Sequence, residues 1–450
     1  MKSALLLTGL LTMQSVMAAA PPKVSNGLDP AVVQSVTLKN GMTVIVWPKH
    51  DIPNVALYNF VKVGSRNESP GITGLAHFFE HMMFNGTAKR EPGEFDRIME
   101  GQGASNNAYT SDDVTVYQDW FPKATLSTII ELEADRLQNL AFVPKVVESE
   151  RQVVYSERRL RTEDDNQGKL MEQVQATAFV AHPYGNPTIG WPSDIQSWRI
   201  EDLQQFFKMY YAPNNCTMVI VGDVQPQEVF ALAREHLEPI PAQTPPLPIR
   251  TKEPEQLGER RVTVHAEAQT PLLQFAYHSL AAADPEMPAL ELMMRILAQG
   301  DSSRLHRALV EQDKVAIAVD NFWQEGFDPG LSWFFLTLPA DGDVAKAEAA
   351  FTREIAKVAE SGVTAAELAK AKSLVIADFW RGLATINGKA QQLGSYAVFH
   401  GDQRKLFDAP ATYEKVTSEQ IKALAAKILT INNRTVGVLV PVMGEAGEGP

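Results

Sequence analysis

Hydrophobic and polar positions follow two similar series along the chain. Each series opens with strand-like alternation, at SVTLKNGMTVIVWP and at RRVTVHAEAQTPLLQFAYH, and continues through long helical patterns. Each closes on an Asn-Asn turn and an apolar strand, NNCTMVIVGDV and NNRTVGVLVPV. This correspondence predicts an internal duplication of an α+β unit of roughly 200 residues. The predicted fold class is therefore α+β, with two tandem α/β domains, each a mixed sheet flanked by helices.

One proline-rich segment, at 238–259, interrupts these patterns. Its prolines rule out a continuing helix or a central strand, and they are Pro239, Pro241, Pro245, Pro246, Pro248 and Pro254. We therefore predict a first domain over 31–237 and a second over 260–443, with 238–259 as the linker.

The first twenty residues have the order of a secretory signal peptide. Lys2 precedes a mostly apolar run that ends in small residues, so cleavage is predicted after Ala18 or Ala20. A buried N-terminal helix is the alternative, but the segment has no polar face. The apolar run is too short to span a bilayer. We predict a signal peptide at 1–20 and a periplasmic protein without a membrane span.

Composition and charge narrow the range of partners. The 450 residues carry a formal net charge of -13 and no long run of Lys or Arg, so the chain lacks the basic surface that nucleic acid requires. Peptides or small solutes are the expected partners. Cys216 is the single cysteine and cannot form an internal disulfide, which gives it a packing role in a predicted buried strand.

The stretch GLAHFFEHMMFNGT places three polar side chains inside an apolar helix predicted over 74–84, with Thr73 as its N-cap. His77 and His81 are one turn apart on this helix, and Glu80 lies beside them. Two such imidazoles can bind one zinc ion while the carboxylate accepts a proton, which is the HxxEH pattern of inverzincins. The alternative is a helix of the hydrophobic core whose histidines are hydrogen-bonded, because such a helix could contain the same residues 77–81.

A second helix, predicted from Pro144, offers a third ligand. Glu150 and Glu157 fall into its apolar stripe, where a carboxylate is costly unless paired, protonated or bound to a metal. The stripe is formed by Val143, Val146, Val147, Val153, Val154 and Leu160. Pairing with Arg151 or Arg158 is the alternative. The pattern itself does not choose between the two carboxylates as ligand.

Several motifs together resemble the pitrilysin-type zinc metallopeptidases, particularly the class of mitochondrial processing peptidase and its bacterial relatives. They are GLAHFFEHMMFNGT, GASNNAYTSDDVTVY, ERQVVYSERR, HPYGNPTIGWPSDI, YYAPNNCTMVIVGDV and DSSRLHRALVEQ, and they cover nearly the whole mature chain. The resemblance implies a tandem pair of α+β domains that forms half of a clam-like peptidase chamber. Its spacing implies Glu157, 157 − 81 = 76 positions after His81, as third zinc ligand and Glu150 as a nearby acid.

The resemblance also implies a mechanism. One zinc ion per chain would be held by His77, His81 and Glu157, and Glu80 would be the general base that passes a proton to the leaving amine. The stretch NNAYTSDDVTVY would form an edge strand that pairs with an extended substrate. On this strand Asn107 and Ala108 match the substrate-contacting positions, although without the family Asn107 reads equally well as a turn residue. His182 is not assigned to the metal.

One departure from the family concerns an Arg and a Tyr, seven residues apart, that stabilise the oxyanion in active relatives. Val310 and Ile317 stand at these positions, and Arg304 belongs to a neighbouring element. We therefore expect a zinc endopeptidase subunit whose partner is an Arg/Tyr-bearing homologue in a heterodimer; a homodimer is the alternative assembly. The alternative function is a non-catalytic peptide-binding, chaperone-like or scaffold member with structural zinc.

Overall fold

The computed structural model describes residues 29–442. The predicted signal peptide at 1–20 lies outside the described residues. Within 29–442 the chain forms eleven strands: β1 (Gln34–Thr37), β2 (Thr43–Pro48), β3 (Asn54–Val61), β4 (Ser105–Thr110), β5 (Thr115–Pro122), β6 (Cys216–Gly222), β7 (Arg260–Glu267), β8 (Leu272–His278), β9 (Ala318–Trp323), β10 (Leu331–Thr337) and β11 (Arg434–Val442).

The same residues form fourteen α-helices: α1 (Leu75–Met82), α2 (Glu94–Gly101), α3 (Leu126–Asn139), α4 (Pro144–Arg158), α5 (Asn166–Ala178), α6 (Pro192–Ser197), α7 (Ile200–Tyr210), α8 (Pro226–His236), α9 (Met287–Ala298), α10 (Val344–Ser361), α11 (Ala365–Gly382), α12 (Ile386–Phe399), α13 (Ala409–Glu414) and α14 (Ser418–Ile428). Two π-helical turns, Arg159–Glu163 and His306–Gln312, interrupt the regular helices. No described helix has the length and hydrophobicity that a membrane crossing requires.

The strands form two mixed sheets with the same internal order. The first sheet runs β1-β2-β6-β3-β5-β4 and the second runs β7-β11-β8-β10-β9. The five strands β2-β6-β3-β5-β4 of the first sheet correspond in order to β7-β11-β8-β10-β9, and β1 is an additional edge strand. In each set the first two strands pair in parallel, β2 with β6 and β7 with β11. The remaining neighbours in each set pair antiparallel. The predicted fold class of two duplicated mixed sheets flanked by helices is therefore confirmed.

Each half of the chain covers one face of the other half's sheet. One face of the first sheet packs against helices of its own half, including α1, while side chains of α11 and α12 cover the opposite face. In return, Leu170 and Val174 of α5 pack against Trp333 and Leu439 of the second sheet. The two halves therefore share their hydrophobic cores, and the central strands of each sheet are buried on both faces.

A glycine lies at each of these crossings. A Cβ atom on Gly394 of α12 would lie 2.0 Å from the ring of Phe60 on β3, and one on Gly437 of β11 would lie 2.2 Å from Val174 of α5. Neither position has room for a side chain, so the helices approach the sheets as closely as the backbone permits.

The structure corrects two predicted elements of the first half. The helix predicted over 74–84 is shorter, Leu75–Met82, because Gly74 at φ 87° begins it and Thr73 does not cap it. The stretch predicted as one edge strand is a hairpin, in which only β4 is at the sheet edge and β5 is internal.

The apolar stripe predicted on the Pro144 helix is partly wrong. Val147 and Val154 are buried, but Val143, Val153 and Leu160 are exposed, the last at 71%. The α-helix ends at Arg158, so the π-helical turn carries Leu160 away from the stripe, and Val153 cannot share the inward direction of its neighbour Val154.

Candidate metal centre

Helix α1 presents two histidines to helix α4. His77 and His81 are one turn apart, with ring centroids separated by 4.8 Å. Phe78 and Phe79 on the opposite side of α1 are fully buried and anchor the helix in the first core. The apolar side therefore fixes α1, and the imidazoles face α4.

Three candidate ligand atoms converge between these helices. Glu157 Oε2 lies 3.6 Å from Nε2 of His77 and 3.4 Å from Nε2 of His81, and the three ligand atoms lie within 4.8 Å of one another. Tetrahedral ligands at usual zinc distances lie about 3.3–3.5 Å apart. Two imidazole nitrogens and one carboxylate oxygen thus fit a zinc ion and leave a fourth position open.

Glu150 contacts the far side of the second imidazole. Its Oε1 lies 2.8 Å from His81 Nδ1, and its Oε2 accepts a hydrogen bond of 2.9 Å from Asn85. Because a carboxylate only accepts, His81 Nδ1 donates, and in the neutral imidazole Nε2 keeps the lone pair that a metal ion would bind. His77 differs, since its Nδ1 is buried without a hydrogen-bond partner among the described residues.

The protein groups alone favour one positive charge at this site. Burial, together with the nearby His81, lowers the pKa of His77 to about 4. Burial would also lower the pKa of His81, but hydrogen bonds to Glu150 and Glu157 raise it to about 9. One protonated imidazole beside two ionised carboxylates leaves a net negative charge, and a divalent metal ion would balance both carboxylates with the two imidazoles neutral.

Glu80 of α1 lies beside the edge strand β4. Its Oε2 accepts a hydrogen bond of 2.7 Å from the hydroxyl of Thr110, the last residue of β4. Burial raises the pKa of Glu80, although the Thr110 bond opposes this shift. A carboxylate with a raised pKa, next to three metal-type ligands, has the character of a general base.

Strand β4 forms one edge of the first sheet and contains both predicted substrate contacts. Ala108 packs on the α1 side of the sheet, whereas Tyr109 packs on the α12 side. Asn107 shares the α12 side with Tyr109 because strand side chains alternate, and it is exposed. Asn107 and Ala108 are therefore on opposite faces of the same edge.

The arginines of α4 do not pair with Glu150 or Glu157. Arg151 donates to the backbone oxygens of Ile195 and Trp198. Arg158 donates to Gly190 O and to Glu172. Both side chains thus hold the segment 190–198 against α4. Glu157 pairs instead with Arg161 of the π-helical turn, through its Oε1 at 3.1 Å, and its Oε2 faces the two histidines.

The remaining predicted residues lie away from the three ligands. Val310 is in the second π-helical turn and packs at the margin of the second core, and Ile317 is 56% exposed just before β9. Arg304 pairs with Glu367, as expected for a separate element. His182 lies 3.2 Å from Asp328 and is no part of the ligand group.

Three polar residues near the site were missed by the sequence reasoning. Asn85 holds Glu150, Thr110 donates to Glu80, and Glu68 accepts hydrogen bonds from the backbone at the start of α1. The sequence reasoning assigned Thr73 as the cap of this helix, whereas Gly74 occupies the cap position and offers no side chain.

Known families account for both halves of the chain. Residues 44–191 match the model described as Insulinase (Peptidase family M16), and residues 197–375 match Peptidase M16 inactive domain. The zinc protease PqqE of Helicobacter pylori is 35% identical over 373 residues, which are 81% of this chain and 83% of that protein. The chain belongs to the M16 peptidase family. The predicted resemblance is thus confirmed.

Other M16 relatives extend the comparison. The probable mitochondrial-processing peptidase subunit beta of Schizosaccharomyces pombe is 25% identical over 425 residues, 91% of this chain and 92% of the relative. A solved protease from Helicobacter pylori superposes with a TM-score of 0.87 at 31% identity, over 91% of this chain and 99% of that chain.

The periplasmic protease PqqL of Escherichia coli shares the M16 fold at 20% identity and a TM-score of 0.76. The match covers 91% of this chain but only 48% of PqqL. In length and fold the present chain therefore corresponds to one half of that protein.

Proposed function

We propose that the chain is the metal-bearing subunit of a zinc-dependent endopeptidase that hydrolyses peptides. The observation that carries this proposal is the convergence of His77, His81 and Glu157 within 4.8 Å, with Glu80 alongside. Ligands and base thus meet at the strand edge where a peptide could bind.

Each side chain would have a separate task. Zinc in such sites acts as a Lewis acid that activates water and polarises a carbonyl group. Glu80, held by Thr110 at 2.7 Å, would take the proton from the attacking water and deliver it to the leaving amine. Glu150 would keep His81 in the tautomer whose Nε2 can bind the metal.

The edge of β4 would hold the substrate in an extended conformation. Backbone groups that pair with no described strand are available along this edge, so the peptide would be bound mainly through its main chain. Asn107 and Ala108 would contact alternate sides of the bound strand. Binding through the main chain implies a loose sequence preference.

We also propose a partner subunit and a location. Val310 and Ile317 carry no group that could stabilise an oxyanion, so a homologue with an Arg/Tyr pair would complete the site in a heterodimer, with a homodimer as the alternative. The correspondence to half of PqqL supports this assembly. The predicted signal peptide and the periplasmic location stated for PqqL support a periplasmic subunit.

The test is hydrolysis of a pool of quenched peptides by the zinc-loaded chain, first alone and then with an Arg/Tyr-bearing homologue. Glu80→Gln is the inactive comparison, and Glu235→Gln, an exposed acid on α8, is the matched control. We expect cleavage only with the homologue. If the chain alone cleaves peptides and Glu80→Gln abolishes this cleavage, the proposed need for a partner subunit is wrong. If no peptide is cleaved with or without the homologue, the proposed peptidase activity is wrong.

A second candidate function is peptide binding with a structural zinc ion. It is favoured by the aliphatic residues at Val310 and Ile317. Peptide binding without cleavage, under conditions in which zinc and the homologue are both present, would support this function over catalysis.

A further inference from the structure

Glu68 is a buried carboxylate that contacts the start of the metal helix. Its Oε2 accepts a hydrogen bond of 2.7 Å from Gly74 N, and its Oε1 accepts one of 2.7 Å from Ala76 N. The residue is only 6% exposed, and no arginine or lysine pairs with it among the described residues. We infer that Glu68 is a positioning residue of the metal centre, which acts by fixing the first turn of α1. This inference rests on the proposed zinc site.

The first turn of α1 requires such a partner. The initial N–H groups of a helix have no acceptor within the helix and are usually capped by a Ser, Thr, Asp or Asn side chain. Gly74 occupies the cap position and offers no side chain. Glu68 provides both of its oxygens instead; burial raises the pKa of this carboxyl group, and the two backbone hydrogen bonds oppose that shift.

His77 depends on this cap more than His81 does. A carboxylate orients the ring of His81 through Nδ1, whereas the Nδ1 atom of His77 has no partner among the described residues. The position of the His77 ring is therefore set mainly by its backbone. Ala76, whose N–H group binds Glu68, is the residue directly before His77.

The start of α1 is also aligned with the helix that carries the third ligand. Gly74 and Gly190 are in backbone contact, since a Cβ atom on Gly74 would lie 2.6 Å from Ile189 O and 2.9 Å from the Cα atom of Gly190. Gly190 O in turn accepts a hydrogen bond of 2.7 Å from Arg158, which follows Glu157 in α4. A shift in the first turn of α1 would therefore change the distance between His77 and Glu157.

A neighbouring carboxylate offers a matched control. Asp194 accepts hydrogen bonds from Gly71 N, from Thr73 N and from the Thr73 hydroxyl. It thus holds the loop before α1, but it makes no bond to the helix itself. Replacement of either acid by its amide removes one acceptor oxygen from the same loop region, and only Glu68 contacts the first turn of α1.

The experiment measures zinc affinity by competition with a chromogenic chelator in the full chain and in Glu68→Gln and Asp194→Asn. We expect Glu68→Gln to weaken zinc binding by roughly 10-fold, within the range seen when a group that orients a metal ligand is lost. Asp194→Asn should bind zinc within about 2-fold of the parent chain, because the first turn keeps its cap. Equal affinities in all three chains, or equal losses in both variants, would overturn the inference.

Cobalt provides a readout that does not depend on activity. The visible absorption of Co²⁺ bound to the parent chain should change in intensity in Glu68→Gln and not in Asp194→Asn, because it reports ligand geometry. If Glu68→Gln does not fold, Glu68→Asp is measured in its place. The shorter aspartate side chain should reach only one of the two N–H groups, those of Gly74 and Ala76. An unchanged zinc affinity in Glu68→Asp would then overturn the inference. A parent chain that binds no zinc would refute the proposed function itself.

Discussion

Replacement of Gly394 by alanine should destabilise the folded chain, because this glycine lies where α12 crosses the first sheet. A Cβ atom there would lie 2.0 Å from Cε2 and 2.3 Å from Cζ of Phe60. Phe60 is fully buried, so its ring has no open space to move into. The contact joins the two halves of the chain, since Phe60 belongs to β3 and Gly394 to α12.

Two opposing effects set the magnitude. Packed carbon atoms are about 3.5–4.0 Å apart, so the new methyl group would be roughly 1.5 Å too close to the ring. Overpacking of a tight core costs about 1–3 kcal/mol, and the upper end applies because the nearest atoms belong to a buried ring. An alanine in a helix interior gains up to about 1 kcal/mol over glycine. The net loss in the free energy of unfolding should therefore be about 2 kcal/mol.

Urea denaturation followed by fluorescence measures this loss. Gly101→Ala is the control, because no atom lies within 4 Å of the added methyl group at that helical site, and its stability should be equal to or above that of the parent chain. Phe60→Leu removes the clashing ring atoms, so it should cost less in the Gly394→Ala chain than in the parent chain. A Gly394→Ala chain as stable as the parent, or additive effects of the two changes, would refute the reasoning.

Three further predictions concern the site and the second half. Glu150→Gln should weaken zinc binding by about 10–100-fold, because the second histidine loses the carboxylate that orients it; an unchanged affinity in chelator competition would contradict this. Thr110→Val should lower kcat by roughly 10-fold with unchanged zinc stoichiometry, because Glu80 loses its hydrogen bond; steady-state kinetics with metal analysis would test it. Arg304 lowers the pKa of Glu367 to about 2, so this ion pair stabilises the fold above pH 4.5, and its contribution is lost as the pH falls towards 2. The stability difference between the parent chain and Glu367→Gln should accordingly shrink over that interval, and a constant difference would exclude the pair as its cause.

The periodicity of the chain was sufficient for the fold class. The repeated Asn-Asn turns with apolar strands are β6 and β11, which occupy equivalent central places in the two sheets. The packing of α5 on the second sheet and of α12 on the first could not be predicted, because the apolar face of a helix does not indicate which sheet it packs against. The stripe on α4 misled for a related reason: Val153 and Leu160 are apolar, but they face solvent.

At the candidate site, sequence spacing was informative only within one helix. His77 and His81 fall on one side of α1 because residues four apart must do so. The choice between Glu150 and Glu157 depends on how α4 lies against α1, which is a tertiary property. Glu68 reaches Gly74 through a loop rather than through a helical repeat, so no periodic pattern indicates it.

The exchange of α5 and α12 also constrains how such a chain could have arisen. In each described half, five α-helices lie between the strand pair β4–β5 or β9–β10 and the last strand, and the third of the five packs against the other half's sheet. A single ancestral unit would have left one face of its sheet bare unless a second identical molecule lent its third helix. Fusion of the two genes through the 238–259 segment would have made this mutual covering independent of concentration. The copies could then diverge: α1 now carries two histidines, and α9, at the equivalent place, carries none.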